Sequence, residues 1–209
     1  MPESFQETRI LQYSDAAANA SFSIRRDAYH GTGEFRTVTD SVEYEIEKTW
    51  NHIEIRKYPK MRQATVYGLS DNDAFGILFD YIAGNNKPKR KISMTAPVIS
   101  SEKIAMTAPV ISDKRSFSFV MPASYDLDTI PDPIDARTKI EEVPERRVAV
   151  IRFRGHAREK IRAQKTSELL TFIQRLGLKT RGEPFLMRYN PPFTPGFLRR
   201  NEIGIEIAT

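Results

Sequence analysis

From Val42 onward, apolar and polar residues alternate with a period of two, and the rhythm changes in only two places. Val42-Glu-Tyr-Glu-Ile46 and His52-Ile-Glu-Ile-Arg-Lys-Tyr58 alternate as half-buried strands do, and the second stops at Pro59. Arg62–Leu69 is a third strand, ending about Gly68. The first change of rhythm follows. Ser70 or Asp71 caps a helix in which Phe75, Leu78, Phe79 and Ile82 obey the i, i+3, i+4, i+7 rule, with a stop at Gly84. Ser116–Met121 alternates again, and residues 126–136, with Pro131 and Pro133 among aspartates, form a loop. Lys139–Val143 and Arg147–Phe153 are strands. Glu159–Leu176 is the second helix, with Leu169, Phe172, Ile173 and Leu176 on its apolar face and Gly177 at its end. Pro184–Tyr189 and Glu202–Ile207 are the last strands, separated by the Pro- and aromatic-rich loop Asn190–Arg200.

Between the two rhythms lies Lys91–Ser112, in which KISMTAPVIS returns as KIAMTAPVIS twelve positions on, with Ser93 replaced by Ala105. Pro97 and Pro109 push Ala96 and Ala108 into extended backbone, which argues against a helix. The even offset puts Met94 and Met106 on equivalent sides if both copies are extended. Two arrangements remain open: a hairpin turning at Ser100–Lys103, or one strand beside an apolar loop. Either lines the interior or a ligand cavity.

Both halves, about 41–122 and 137–208, share the order strand, strand, helix, strand, strand. Ile53 to Gly68 and Ile140 to Gly155 have the same separation. Such units cannot bury their sheet faces separately, so the expectation is an α+β domain: two pseudo-symmetric βαββ-type repeats forming a distorted antiparallel or mixed β-barrel, flanked by two long helices. Residues 1–40 sustain no period and read as an N-terminal extension to a domain spanning 41–209.

Composition narrows the chemistry. No cysteine is present, which removes disulfides, thiolate metal sites and cysteine nucleophiles. No apolar run approaches the ~20 residues that span a bilayer, and the start of the chain lacks a secretory pattern, so a cytoplasmic location is expected. The net charge of +5 favours anionic ligands without demanding nucleic acid. Lys87, Lys89, Arg90 and Lys91 form the densest basic run, with no interleaved aromatics to stack bases. His30, His52 and His156 are too scattered for a metal pair, and His52 alone is kept as a weak axial-ligand candidate. No phosphate loop, nucleophile elbow or acid/base pair stands out, so no catalytic residue is assigned. Glu183 precedes a strand facing the expected cavity, or sits on a solvated turn. In the Asn190–Arg200 loop, Phe193 and Phe197 offer flat apolar faces and Arg199 and Arg200 offer paired cations. That set suits a planar amphiphilic anion, or else the rings simply cover the end of the core.

The chain resembles the SOUL/haem-binding protein family from about Ser41 to Ala208. The motifs that carry the likeness are EIRKYP (54–59), the doubled KI(S/A)MTAPVIS, FVMPASYDLDTIPDP (119–133), VPERRVAVIRFRG (143–155) and RYNPPFTPGFLRRNEI (188–203). The doubled phrase is similar to prokaryotic members. The resemblance implies a two-repeat barrel with two helices, related at fold level to effector-binding modules of the gyrase-inhibitor-like kind. It also implies a non-catalytic haem- or tetrapyrrole-binding protein with haem as cofactor and no assured axial histidine. Carried onto this sequence, the groove would involve Phe75, Leu78, Phe79 and Ile82, the repeat methionines Met94 and Met106, and the loop residues Phe193 and Phe197. Arg56, Arg199 and Arg200 would meet the propionates. An apolar hollow between the halves, opening beside that loop, is expected. The alternative function is a small-molecule effector-binding or hydrolysing module, in which a buried carboxylate faces a cationic or electrophilic ligand.

Overall fold

The alternating stretches become strands and the changes of rhythm become helices in the structure, a computed structural model in which residues 40–89, 101–191 and 193–208 are described. In chain order the elements are β1 (Asp40–Ser41), β2 (Glu45–Trp50), β3 (Ile53–Tyr58), β4 (Met61–Tyr67), α1 (Asp71–Ala83), β5 (Asn86–Lys87), β6 (Thr107–Ser112), β7 (Ser116–Val120), β8 (Asp132–Pro133), β9 (Lys139–Val143), β10 (Arg146–Arg154), α2 (Glu159–Arg175), β11 (Thr180–Arg188) and β12 (Arg200–Ile207). A single 3-10 turn, Gly196–Leu198, punctuates the loop before β12. The fold is α+β with a mostly antiparallel sheet.

The start of α1 follows from its sequence. Ser70 is extended, its hydroxyl oxygen accepts from Asp73 N, and Asp71 and Asp73 place negative charge at the positive end of the helix. Gly84 ends it at φ 124°, a conformation that side chains with a Cβ rarely adopt. The first strand differs from expectation. Val42–Ile46 was the expected span, but the ladder runs over Glu45–Trp50, because Val42 N donates to Ala108 O while Val42 and Tyr44 pack beside Tyr58 and Met187. The second copy of the repeated phrase forms β6. The first copy, Met94 included, lies outside the described residues, as does the expected 1–40 extension apart from Asp40.

The main sheet runs β2-β3-β10-β12-β11-β6-β7-β4-β9, with β1 parallel to β6; β5 and β8 form a separate pair. Exchanging β3 with β9, β4 with β10, β6 with β11 and β7 with β12 turns the order β3-β10-β12-β11-β6-β7-β4-β9 into its own reverse. Among the described residues β2 and β9 find no further partner, so the path is open at both ends. It is nonetheless curled. β3 and β4 stand second and eighth in the order, yet only Pro59 and Lys60 join them; β10 and β9 stand third and ninth, joined by Pro144 and Glu145. Two linking residues reach roughly 11 Å at most, so the sheet must bend until these strand ends approach.

The bend gives three cores. Leu169 and Ile173 of α2 cover Ile53, Ile55, Ala149, Ile151, Leu186, Ile203, Ile205 and Ile207. Ala74, Leu78, Tyr81 and Ile82 of α1 cover Ala64, Val66, Phe117 and Phe119. On the other face, Tyr58, Met61, Val120, Val148, Val150, Phe185 and Met187 meet one another. All described residues belong to one unit, Val38–Thr209.

Candidate functional site

The face of the sheet away from the helices is centred on a charge network. Arg56, 1% exposed, reaches past β10 to Glu202, 0% exposed. Its Nη1 donates to Glu202 Oε2 at 2.6 Å and its Nη2 to Oε1 at 3.0 Å. Nε donates to Glu54 at 2.7 Å, and Nη1 also to the Tyr58 hydroxyl at 3.0 Å. Glu202 accepts further from the Tyr189 hydroxyl at 2.8 Å and from Arg200 Nη2 at 2.8 Å. The guanidinium groups lie over rings, Arg56 on Tyr44 and Arg200 on Tyr189, with Cζ 4.2 and 4.1 Å from the centroids. Burial pushes the Glu202 carboxyl upward, but the hydrogen bond and charge of Arg56, joined by Arg200, outweigh it and hold it below the ordinary glutamate value. Burial also raises Tyr58 to about 12 and drives Tyr189 well above the usual tyrosine value. These groups satisfy one another.

Beside the network is a pocket of about 250 Å³ counting its open mouth, with enclosed room for about one water. Val42, Tyr58, Met61, Ile111, Val120 and Met187 are on its wall, and Arg146 is the charged member. Arg146 lies over Phe185 at 5.0 Å, meets Glu206 at 3.7 Å and leaves its Nε without a partner. Burial lowers its pKa. A drug-sized ligand needs ≈ 300–1,000 Å³. Tyrosines, methionines and ion pairs crowd this face among the described residues.

The residues expected to hold a planar ligand separate into committed and available ones. Arg56 is committed to Glu202. Leu78 and Ile82 are core, 0% and 5% exposed. Phe75 is partly buried, with its ring edge-on to Phe119 at 5.5 Å and stacked on Phe79 at 5.8 Å. Phe79 is half-exposed, and Met106 packs against the α1 core. Phe193 and Phe197 are 83% and 76% exposed. Arg199 Nε donates to Thr194 O at 2.8 Å, while Arg200 divides between Glu202 and Tyr189. Met94 lies outside the described residues.

Register brings some of these residues to one end of the sheet. Val110 of β6 faces Arg188 of β11 in an antiparallel pair, so the chain before β6 and the chain after β11 leave the sheet together. Ile104 N donates to Ile82 O, which places the C-terminal end of α1 at that same end. Ile82, Met106 and the Asn190–Arg199 loop thus share it.

The histidines do not gather there as ligands. His52 Nε2 lies 2.6 Å from Glu168 Oε1, whose other oxygen accepts from Lys165. His156 packs against Gly196, where an added Cβ would stand 2.2 Å from its Nε2. His30 is outside the described residues. Among the described residues no three potential metal ligands cluster, and no helix is long and apolar enough to cross a membrane. Glu183 lies in β11, where the register with β12 shifts between Arg181 and Phe185, and it is 63% exposed and 3.6 Å from Lys114. Sequence reasoning did not single out Glu202. The signal available was the phase of R-N-E-I-G-I-E-I, which sets it on the face opposite Ile203, Ile205 and Ile207.

Two helices on one side of a curled antiparallel sheet define an α+β class that solved structures share. An uncharacterised conserved protein from Listeria innocua is similar at a TM-score of 0.52 and 13% identity, covering 75% of this chain and 92% of its own. The EcmrR C-terminal domain is similar at 0.50 and 10% identity, covering 79% and 98%. A hydrolase from Listeria innocua follows at 0.49 and 12%, covering 78% and 94%. At such identities the first two likenesses are of fold alone. No curated protein matches the chain. The family model described as SOUL heme-binding protein matches residues 39–206, and the chain belongs to that family. Haem as a ligand is consistent with this membership.

Proposed function

We propose that this protein holds a planar tetrapyrrole of the haem type without transforming it, at the end of the sheet shared by α1 and the Asn190–Arg199 loop. The observation that carries the reading is the uncovered aromatic surface there. Phe79 stacks on Phe75 at the flank of α1, Phe193 and Phe197 stand exposed on the loop, and Met106 and Ile82 belong to the core under α1. Flat apolar area of this kind suits a macrocycle, and Arg199 with the free side of Arg200 would pair with propionates. Haem, when bound, would contribute an iron centre; this chain's residues bury the ring and neutralise its acids. Met94 belongs to the proposed lining by its sequence position. Arg56 would act indirectly, by fixing Glu202 and through it Arg200. His52, tied to Glu168, is poorly placed to serve as an iron ligand.

The two halves are, on this reading, structural repeats about a pseudo-two-fold axis in a barrel-like sheet, with residues 1–40 an extension to the 41–209 domain. The reversible strand order and the short β3–β4 and β9–β10 links support this. A cytoplasmic location accords with a chain lacking cysteine. The effector-binding or hydrolysing alternative asks for a buried carboxylate with a raised pKa. Glu183 is exposed, and Glu202 is held ionised between two guanidinium groups.

The test is titration of the purified protein with haemin, followed at the Soret band. A saturable shift at micromolar haemin, weakened about tenfold by removing both Phe79 and Phe193 rings, is expected. A linear, unsaturable response would overturn the reading.

A further inference from the structure

Phe193 and Phe197, 83% and 76% exposed, with Leu198 at 53%, form an apolar tip that water alone covers among the described residues. Single exposed apolar side chains are ordinary, but three within six residues on one loop form a patch that signals contact. The tip is held out by structure. Thr194 N donates to Pro191 O, Leu198 N to Pro195 O, Arg199 N to Gly196 O and Arg200 N to Asn190 Oδ1. Gly196, flat against His156, fastens the loop to the junction of β10 and α2.

That junction is basic. Arg154 faces Arg200 in register, and Gly155 N donates to Arg199 O, so the loop stands directly beside residues 154–158. Arg152, Arg154 and Arg158 are exposed, and their side chains enter no hydrogen bond or ion pair among the described residues. Across 150–160 and 189–202 the cations are Arg152, Arg154, Arg158, Lys160, Arg199 and Arg200, against the carboxylates Glu159 and Glu202. Glu202 is already consumed internally. Apolar rings at a tip with uncommitted guanidinium groups behind them match, in order, the acyl boundary and the anionic headgroups of a bilayer. An acidic protein would satisfy the arginines but would offer the exposed rings no apolar layer.

We propose that the Phe193–Leu198 loop is a membrane-surface anchor. Phe193, Phe197 and Leu198 enter the interface of an anionic bilayer, and Arg152, Arg154 and Arg158 pair with its headgroups. This goes beyond tetrapyrrole binding and does not depend on it, because the assay contains no haem.

The experiment is co-sedimentation of the full chain with phosphatidylcholine vesicles, with and without phosphatidylglycerol, at low and high salt. Binding should require phosphatidylglycerol and weaken with salt. Each of Arg152→Gln and Arg154→Gln should lower the partition coefficient about fivefold, and Phe193→Ser with Phe197→Ser at least about tenfold. All these side chains are exposed, so circular dichroism should show unchanged folding. A Phe197→Trp variant should shift its emission to the blue on anionic vesicles and be quenched by brominated acyl chains, while Trp50, packed on Phe172, gives a constant background. The proposal is overturned if the wild-type chain stays in the supernatant at low salt, or if the double serine variant sediments as well as wild type. It is equally overturned if the rings instead drive self-association, seen as a dimer lost in the serine variant by ultracentrifugation without lipid. A chain that binds vesicles but gives no haemin saturation would retain the anchor and lose the tetrapyrrole reading.

Discussion

Glu202 and Phe193 are nine residues apart in sequence and have exchanged the usual places of charge and grease. The carboxylate is fully enclosed at the centre of the sheet, whereas the phenyl ring stands in water at its rim. Enclosure costs an ion several kcal/mol unless partners restore what water gave. Here Arg56, Arg200 and Tyr189 restore it. Exposure of a ring sacrifices roughly 1.5–3 kcal/mol of burial, and nothing within the fold returns that. The contrast separates what the molecule uses to specify its own shape from what it holds ready for something outside.

Breaking the inner half should have the largest effect. Glu202→Ala strands the buried guanidinium of Arg56 and unpairs the partly exposed Arg200, and should cost about 3–5 kcal/mol in urea unfolding; a loss under about 1 kcal/mol would mean that water replaces the carboxylate. The anchor of the rim comes next. Gly196→Ala drives a methyl into the exposed ring of His156, which must swing aside at a cost of up to about 1 kcal/mol, and His156→Ala should recover much of it in the double variant, as measured by thermal melting. A third effect is visible in acid. The folded-state pKa of Glu202 is depressed, so its contribution is present above the unfolded value and lost as pH falls through the folded one. Stability should therefore drop below about pH 4, by roughly 1.4 kcal/mol per unit of depression. Glu202→Gln should lack that part of the slope; an identical acid limb in both proteins would assign it to other carboxylates. Smallest of all, Phe193→Ala and Phe197→Ala should change stability by less than about 0.5 kcal/mol while weakening haemin and vesicle binding. A large destabilisation would show the rings to be part of the fold.

Much of the architecture was legible because local signals agreed. Ser70 with the acids behind it, Gly84, and the spacing of Leu78 and Ile82 placed α1 to within a residue or two, and Lys139–Val143 is the observed β9. Alternation, however, assigns a residue to a face without saying whether that face is later covered. Arg56 and Glu202 occupy the polar phase of their strands, so they read as solvent-facing or rim groups until the curl of the sheet encloses them. The same limit hid the packing of this inner face, since Tyr58, Val120 and Met187 come from strands far apart in the chain. Val42 and Tyr44 kept the right rhythm but not the ladder, because a contact with Ala108 more than sixty residues away decides their course. For the aromatic loop, composition left cover and contact equally open, and the exposure of its rings counts against cover.

The Pro59–Lys60 and Pro144–Glu145 links have a mechanical consequence. They are drawstrings: covalent ties across a gap that no ladder bridges among the described residues. A nick at either one would leave the ladders paired and the curl held on that side by the packing of Tyr58, Met61 and Val120 alone. Curvature in this protein is thus secured by the continuity of the chain, and the innermost charges are sheltered by two of its shortest turns.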